Sequence, residues 1–515
     1  MEDSVTVDGR RNRPSVPAVF CPPDRRKHVL VASILASSLG FIDGTVVSIA
    51  MPAIRSDLSA SLTQVQWVSG AYLLMLSALL MAGGALGDRY GLRNVFACGI
   101  MLFVVASVVC AIAPDAWLLI AARTLQGIGA AIMVPASLAI IAKAYPAQER
   151  GSAIGIWAAA SAATSGLGPV AGGLLLAALG DWAWRLVFAV NLPLGLAALT
   201  YLLRVPADRP VREARFDLVG VLLVTLALAG IAIGLSGGAS AFAEVASDAA
   251  PLPDWTVTFA GAALFMGFIF WESRASQPMM PLRLFSDAGF LGANLATFFL
   301  YFALSAAFFF LPMTLITAWG LGSAKTALVF LPVTILVGLM SGPVGRMAGT
   351  RGPRIFMAVG SLVCAAAYAG FAMTMHLRDF WLVLMPLATL LGFGMGLLVS
   401  PLSAAVMMAV PDRETGIASA VNNTVARTSG LMATAALGGL ITVVFNAAGG
   451  LQTGLAFGRL PEHLADPAVL SVWQDASNAG FATIAWICAL LSAVAAFVSW
   501  RMLHSMAPAR ADDSR

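Results

Sequence analysis

The chain alternates long apolar runs with short polar connections. A helix that crosses a bilayer needs about 20 mostly apolar residues. Fourteen stretches qualify: 29–50, 64–86, 95–113, 117–142, 152–177, 185–203, 217–237, 255–271, 288–312, 324–345, 356–376, 380–405, 416–446 and 479–500. The longest polar connections, 1–28, 204–216, 238–254, 272–287, 447–478 and 501–515, leave little chain for a soluble domain. The pattern predicts an all-α integral membrane protein with 14 transmembrane spans. Composition fits this reading: of 515 residues 59% are hydrophobic and 11% charged, and the mean hydropathy is +0.86.

Charge gains meaning once it is mapped onto these spans. With the N-terminus in the cytoplasm, 23 of the 30 Lys and Arg residues fall in cytoplasmic segments, among them Arg25, Arg26, Lys27, Arg89, Arg93, Arg150, Arg346, Arg354 and Arg413. Only Arg55, Lys325, Arg378 and Arg459 fall outside, and Arg123, Arg185 and Arg427 lie within spans. The positive-inside rule then gives an even number of crossings with both termini cytoplasmic, as expected of a multi-pass protein of the cell (inner) membrane. The basic residues are topological signals, and no nucleic-acid partner is expected. No apolar stretch precedes residue 29, so no cleavable signal is expected. Cys98, Cys110, Cys364 and Cys488 lie inside spans and Cys21 in the N-terminal tail, which suggests neither a disulfide framework nor a metal site. No cofactor is expected.

The chain also repeats itself. "GALGDRYGLR" (84–93) follows the second run and "GRMAGTRGPR" (345–354) the tenth, with Gly84, Gly91 and Arg93 matched by Gly345, Gly352 and Arg354 at an offset of 261. A second echo pairs Gly151 and Ala153 with Gly416 and Ala418, offset by 265. Two six-span halves thus flank an inserted pair, spans 7 and 8. The expected division is a tail (1–28), an N-terminal bundle (29–203), linkers with the inserted spans (204–287), a C-terminal bundle (288–500) and a second tail (501–515). Parallel repeats around a central cavity are a common build of transporters.

Four stretches resemble signatures of one family in the right order. "GALGDRYGLR" resembles the loop 2–3 signature of the major facilitator superfamily, and "ARTLQGIGAA" (122–131) its fourth-span signature. "GIWAAASAATSGLGPVAGG" (155–173) resembles the span-5 antiporter signature, and "IDGTVVSIAMP" (42–52) the span-1 signature of the fourteen-span drug:proton antiporters. Leu92 departs from the basic residue of the loop pattern and Thr164 from a usual span-5 glycine. The resemblance implies a major-facilitator-type fold of two six-helix bundles plus two inserted helices, working as a monomer on a small-molecule substrate and protons.

Asp43 is the residue that least suits its surroundings, a carboxylate inside an apolar run. Such residues are costly and usually functional; this one is the candidate proton-coupling acid, the alternative being a packing residue hydrogen-bonded to a neighbouring span. Arg123 in span 4 is its candidate partner, unless it reaches the interface or backbone carbonyls, and Gln126 one turn further on could share the network. The resemblance implies that spans 1 and 4 both face the cavity. Shifted by 261, Asp43 lands on Leu304 and Arg123 on Leu384, so only the N-terminal half carries this chemistry. Arg427 is the charge deep in the C-terminal half, open either to Asn422 or Asn423 or to an anionic ligand.

Asp88, Arg89 and Arg93 form a candidate gate at the cytoplasmic side, or else ordinary loop charge. Gly155, Gly168, Gly172 and Gly173, with Pro169, let helices approach closely; the resemblance adds that this packing favours exchange over uniport. In span 9, Phe298, Tyr301, Phe302, Ser305 and Phe309 fall on one face, which suits an apolar ligand or plain packing. Trp157 in span 5 is a further cavity candidate, with Trp67, Tyr72 and Met395.

The function expected is proton-coupled export of amphipathic, neutral or monocationic organic compounds such as drugs, toxins or antibiotics. The single carboxylate, already needed for the proton, argues against dications. The alternatives are an exporter or importer of a specific metabolite on the same fold, and a membrane-embedded enzyme. The enzyme is disfavoured because His28, His376, His463 and His504 lie at span ends or in loops and no catalytic or nucleotide-binding motif occurs.

Overall fold

The computed structural model describes residues 20–208, 217–238, 253–276, 278–411, 414–459 and 466–503. Among them 14 helices are long and apolar enough to cross a membrane. Numbered as spans 1 to 14, they are Pro23–Asp57, Leu62–Gly87, Leu92–Ala111, Ala116–Ala144, Gln148–Leu179, Asp181–Leu203, Leu218–Leu235, Asp254–Arg274, Ala288–Thr317, Ser323–Arg351, Arg354–Leu377, Phe380–Met408, Thr415–Ala447 and Pro467–Met502.

Local chemistry sets where the helices begin. Ser61 opens span 2 with a reciprocal cap, its hydroxyl accepting from the Gln64 amide at 3.1 Å while its own amide donates to the Gln64 side chain at 2.9 Å. Asp115, Asp287 and Asp466 cap spans 4, 9 and 14 through the amides of Leu118, Phe290 and Ala468. Span 14 therefore starts at Pro467 rather than 479, because Asp466 and Pro467 carry the helix beyond the apolar run. The added turns place Asp475 2.6 Å from Arg378. The two motif glycines turn the chain between spans 2 and 3 and between spans 10 and 11 at φ of +92° (Gly91) and +83° (Gly352), a backbone region that a side chain would disfavour.

The internal repeat reappears as packing. In the first half, span 4 packs on spans 2 and 3, span 1 on spans 5 and 6, and span 3 on span 6. Adding eight to each number gives the second half: span 12 on 10 and 11, span 9 on 13 and 14, and span 11 on 14. Two six-helix bundles of the same design result. Of the inserted pair, span 7 packs on span 2 of one bundle and span 13 of the other, while span 8 packs chiefly on span 7 and turns most of its surface outward. Trp67 of span 2 donates to Ser236 at the end of span 7 at 3.2 Å.

Both ends of the described chain, Phe20 and Leu503, lie on one side, called here the terminal face. At the far face the bundles touch. Gln66 donates to the Thr434 carbonyl at 2.6 Å, Arg55 donates to the Phe457 carbonyl, and Gly173 lies so close to span 10 that a Cβ there would meet Ala327 and the Ser323 carbonyl, each at 2.7 Å. Toward the terminal face, Gly151, Gly155, Gly338, Gly342, Gly349 and Gly416 have nothing near their Cβ positions. Among the described residues these bonds between the bundles lie toward the far face, which leaves a central divide opening toward the terminal face.

Candidate functional site

Glycines bring the site together. A Cβ on Gly127 of span 4 would lie 2.6 Å from the Tyr72 carbonyl, and one on Gly129 would lie 2.7 Å from the Phe103 amide. Gly83 presses in the same way on the Ala131 carbonyl. The backbones of spans 2, 3 and 4 therefore meet with no side chain between them. That approach carries the polar side chains of span 4 into the middle of the N-terminal bundle.

There Arg123 forms an ion pair with Asp43 of span 1 through Nη1 and Oδ2. Gln126 donates from Nε2 to Asp43 Oδ1 at 3.0 Å and to the Ser107 hydroxyl of span 3 at 2.7 Å. Arg123 also donates to Gln126 Oε1 at 2.6 Å and, from Nε, to the Val68 carbonyl of span 2 at 2.9 Å. Its guanidinium lies over the Tyr72 ring, 4.3 Å from the centroid. Asn191 of span 6 completes the set, donating to Ser107 at 3.1 Å.

Five helices thus enclose one positive and one negative charge. Asp43 is 0% exposed and Arg123 1%, so both charges are out of water and depend on each other. Both carboxylate oxygens are engaged, as burial in low dielectric requires. The Oδ1 of Asn191 is a buried polar atom without a hydrogen-bond partner at the edge of this network. Gly44, next to Asp43, is exposed with open space at its Cβ position. The side chains of Asp43 and Arg123 both point into their own bundle. Ser107, Asn191 and the Val68 carbonyl were not singled out in the sequence, where the only hint was a Ser and an Asn within apolar runs.

The span-5 glycines divide between two neighbours. A Cβ on Gly168 would lie 2.7 Å from the Thr45 hydroxyl, and Gly172 abuts Val46, both on span 1. Gly173 abuts span 10, and Pro169 lies inside the helix between these contacts. Gly155, expected among the packing glycines, faces open space instead. Thr164, where a glycine is usual, bonds Ser38 of span 1 at 3.1 Å. Trp157 donates to Ser37 at 2.8 Å, which fixes its indole to span 1.

In the loop motif, Arg93 donates to the Leu203 carbonyl at 3.1 Å and Arg89 lies over Tyr90, so both stay with their own bundle. The Asp88 side chain lies outside the described residues. The Asp208 carboxylate caps span 3, accepting from the amides of Leu92 and Arg93 at 3.0 Å each.

Across the divide, Phe298, Tyr301, Phe302 and Ser305 of span 9 are half-buried. Phe309 is not part of this open face: it is 4% exposed and packs edge-on against Phe310. Arg427 is half-buried on span 13. It does not bond Asn422, which donates to Asn294 and Thr297, nor Asn423, which donates to the Ser419 carbonyl. On the far face, a cavity of about 660 Å³ is lined by residues that include Arg55, Gln64, Thr442, Asn446 and Arg459. Among the described residues no group of three or more His, Cys, Asp or Glu could hold a metal ion.

Comparison with known proteins places this architecture. The profile of the Major Facilitator Superfamily matches residues 33–435. A methylenomycin A resistance protein of Bacillus subtilis (strain 168) is 32% identical over 417 residues, covering 80% of this chain and 87% of that protein. A puromycin resistance protein of Streptomyces alboniger is 33% identical over 455 residues, covering 87% and 86%. Among solved structures, a bacterial homolog of the human lysosomal transporter Spinster, inward-facing and unoccupied, aligns with a TM-score of 0.66 at 18% identity, over 94% of this chain and 98% of that one. That last likeness concerns the fold alone. By profile and by relatives, the chain belongs to the Major Facilitator Superfamily and is a membrane transporter rather than an enzyme.

Proposed function

We propose that this transporter exports amphipathic organic compounds, antibiotics among them, in exchange for protons, with Asp43 as the proton carrier. The observation that carries the reading is the isolation of Asp43: it is the carboxylate deep in the described spans, and it is bound to a cation on a neighbouring helix. Ionised, it holds span 1 to span 4 through Arg123 and Gln126. Protonated, it no longer balances Arg123, and an uncompensated buried charge costs about 3–5 kcal/mol. Protonation must therefore be accompanied by a rearrangement around spans 1 and 4, and a proton is thereby coupled to a change of shape. The names of the relatives, resistance proteins for methylenomycin A and puromycin, support export of antibiotic-like compounds.

In this reading the terminal face is cytoplasmic, in the cell (inner) membrane. The asymmetry of Lys and Arg supports that orientation. Residues 29–203 and 288–500 act as two bodies that rock about the divide in a monomer, and the form described is the one that loads cargo from inside. Asp88, with Arg89 and Arg93, closes the cytoplasmic side in the opposite form. The deciding experiment reconstitutes the protein in liposomes with a pH-sensitive dye inside. Asp43→Asn should abolish cargo-driven proton movement while the protein still inserts. Undiminished proton movement through a well-folded Asp43→Asn protein would remove Asp43 from the mechanism.

A further inference from the structure

We propose that the roof of the central divide receives an organic anion, with Arg427 binding an acidic group of the cargo and Tyr301 donating a second hydrogen bond. The proposal rests on the exporter reading only in taking the divide as the cargo path.

Arg427 lies on the face of span 13 that meets the other bundle. One turn further on, Gly430 is packed against Ser305 of span 9 and near Leu73 of span 2, and Leu431 lies against Gly70. Residues three and four apart share a helix face, so the guanidinium lies just on the open side of that seal. Tyr301 precedes Ser305 by one turn on span 9, which runs in the same direction as span 13. It therefore faces Arg427, and the two are within electrostatic reach of each other. Phe298 and Phe302 continue the half-buried surface, their rings 6.1 Å apart.

Among the described residues Arg427 has neither an ion pair nor a hydrogen bond. Asn422 and Asn423 are committed to other partners. Asp43 is committed to Arg123. A guanidinium has five donors and no acceptor, in a fork that fits a carboxylate or a similar planar anion. Aromatic rings beside it suit the apolar body of an amphipathic molecule. A cationic compound would meet an uncompensated positive charge, which revises the expectation of neutral or monocationic cargo. At the far face Arg55 and Arg459 line the cavity of about 660 Å³, and among the described residues its lining includes no carboxylate.

The test is equilibrium binding to the full chain in nanodiscs with three matched probes: 2-naphthylacetate, its amide, and 2-(2-naphthyl)ethylamine. Hydrogen bonds to charged groups predict that the acid binds about tenfold or more tighter than the amide, and the amine most weakly. Arg427→Gln should reduce the acid to the affinity of the amide and leave the amide unchanged. Arg427→Lys, which keeps the charge but loses the fork, should retain part of the preference. Tyr301→Phe should weaken the acid about threefold. The proposal is overturned if the amide or amine binds as tightly as the acid, if the acid does not bind at millimolar concentration, or if Arg427→Gln leaves its affinity intact. Proton movement driven by the same probes in liposomes is read separately. Selective acid binding without proton movement would count against proton-coupled export while leaving the anion site standing.

Discussion

The pairing of Asp43 with Arg123 can be tested by removing its charges one at a time and together. Asp43→Asn preserves shape but leaves one acceptor oxygen where two now serve Arg123 and Gln126. The new amide nitrogen faces donors, and Arg123, 1% exposed, loses its counter-charge. Breaking a buried pair from one side costs about 3–5 kcal/mol. Arg123 keeps the Val68 and Gln126 oxygens and the face of Tyr72, which puts the expected loss near the lower end, at about 3 kcal/mol. Adding Arg123→Gln removes the stranded cation and should recover at least about 1.5 kcal/mol of that loss. Neither variant should couple proton movement to cargo, so stability and coupling separate. Thermal unfolding can be followed with a thiol-reactive dye, since Cys110, Cys364 and Cys488 are buried in the folded protein. The midpoints should fall in the order wild type, double variant, Asp43→Asn. A double variant less stable than Asp43→Asn, or an Asp43→Asn midpoint equal to the wild type, would refute the ion pair.

Other outcomes follow from the same geometry. Gly173→Val would wedge span 5 from span 10 at the far face, where Ala327 and Ser323 leave no room; labelling of a Gly155→Cys thiol should then fall severalfold, and unchanged labelling would mean that the far seam does not control opening. Phe309→Ala should destabilise the protein by about 3–5 kcal/mol because its ring is buried, whereas Phe302→Ala should leave unfolding near wild type and weaken aromatic cargo by about two- to tenfold; the reverse pattern would place the cargo surface elsewhere. Asp208→Ala should cost about 0.5–2 kcal/mol by uncapping span 3, and an unchanged unfolding midpoint would contradict the cap. Exchange of one proton for one anion moves two charges, so a potential of 100 mV set with valinomycin should contribute roughly 4.6 kcal/mol per cycle, from about 2.3 per charge; transport of the acid that is indifferent to potential would exclude this stoichiometry.

Much of the fold is legible in the sequence because lipid imposes a single rule: the backbone must bond to itself, so an apolar run of sufficient length becomes a helix. All fourteen runs lie on fourteen helices in order. The ends are less legible where helix and apolar run differ, as at Pro467, because a cap and a proline rather than hydropathy start span 14. Asp43 stands out by its cost, and Arg123 and Gln126 follow from the span-4 motif. What they touch does not follow, since it depends on the rotation of each helix, and hydropathy leaves that angle free. For the same reason the sequence suggests Asn422 as a partner of Arg427, while the fold turns Asn422 toward Asn294 and Thr297. Ser107 and Asn191 lie in spans 3 and 6 like many small polar residues, and only the close packing of spans 2, 3 and 4 gives them a role.

The placement of the inserted spans has a consequence for how a membrane-dissolved compound reaches the divide. Two bundles that part at one face leave two lateral seams toward the lipid, one between spans 2 and 13 and one between spans 5 and 10. Span 7 lies across the first, held by the Trp67–Ser236 bond and by contact with both bundles, and span 8 backs it on the lipid side. Among the described residues the second seam has no such cover, and Gly151, Gly155, Gly338 and Gly342 lie along the half nearer the terminal face with open space at their Cβ positions. If cargo enters from that leaflet, this arrangement favours the seam between spans 5 and 10 over the one that span 7 covers. Spans 7 and 8 make the transporter directional within the plane of the membrane as well as across it.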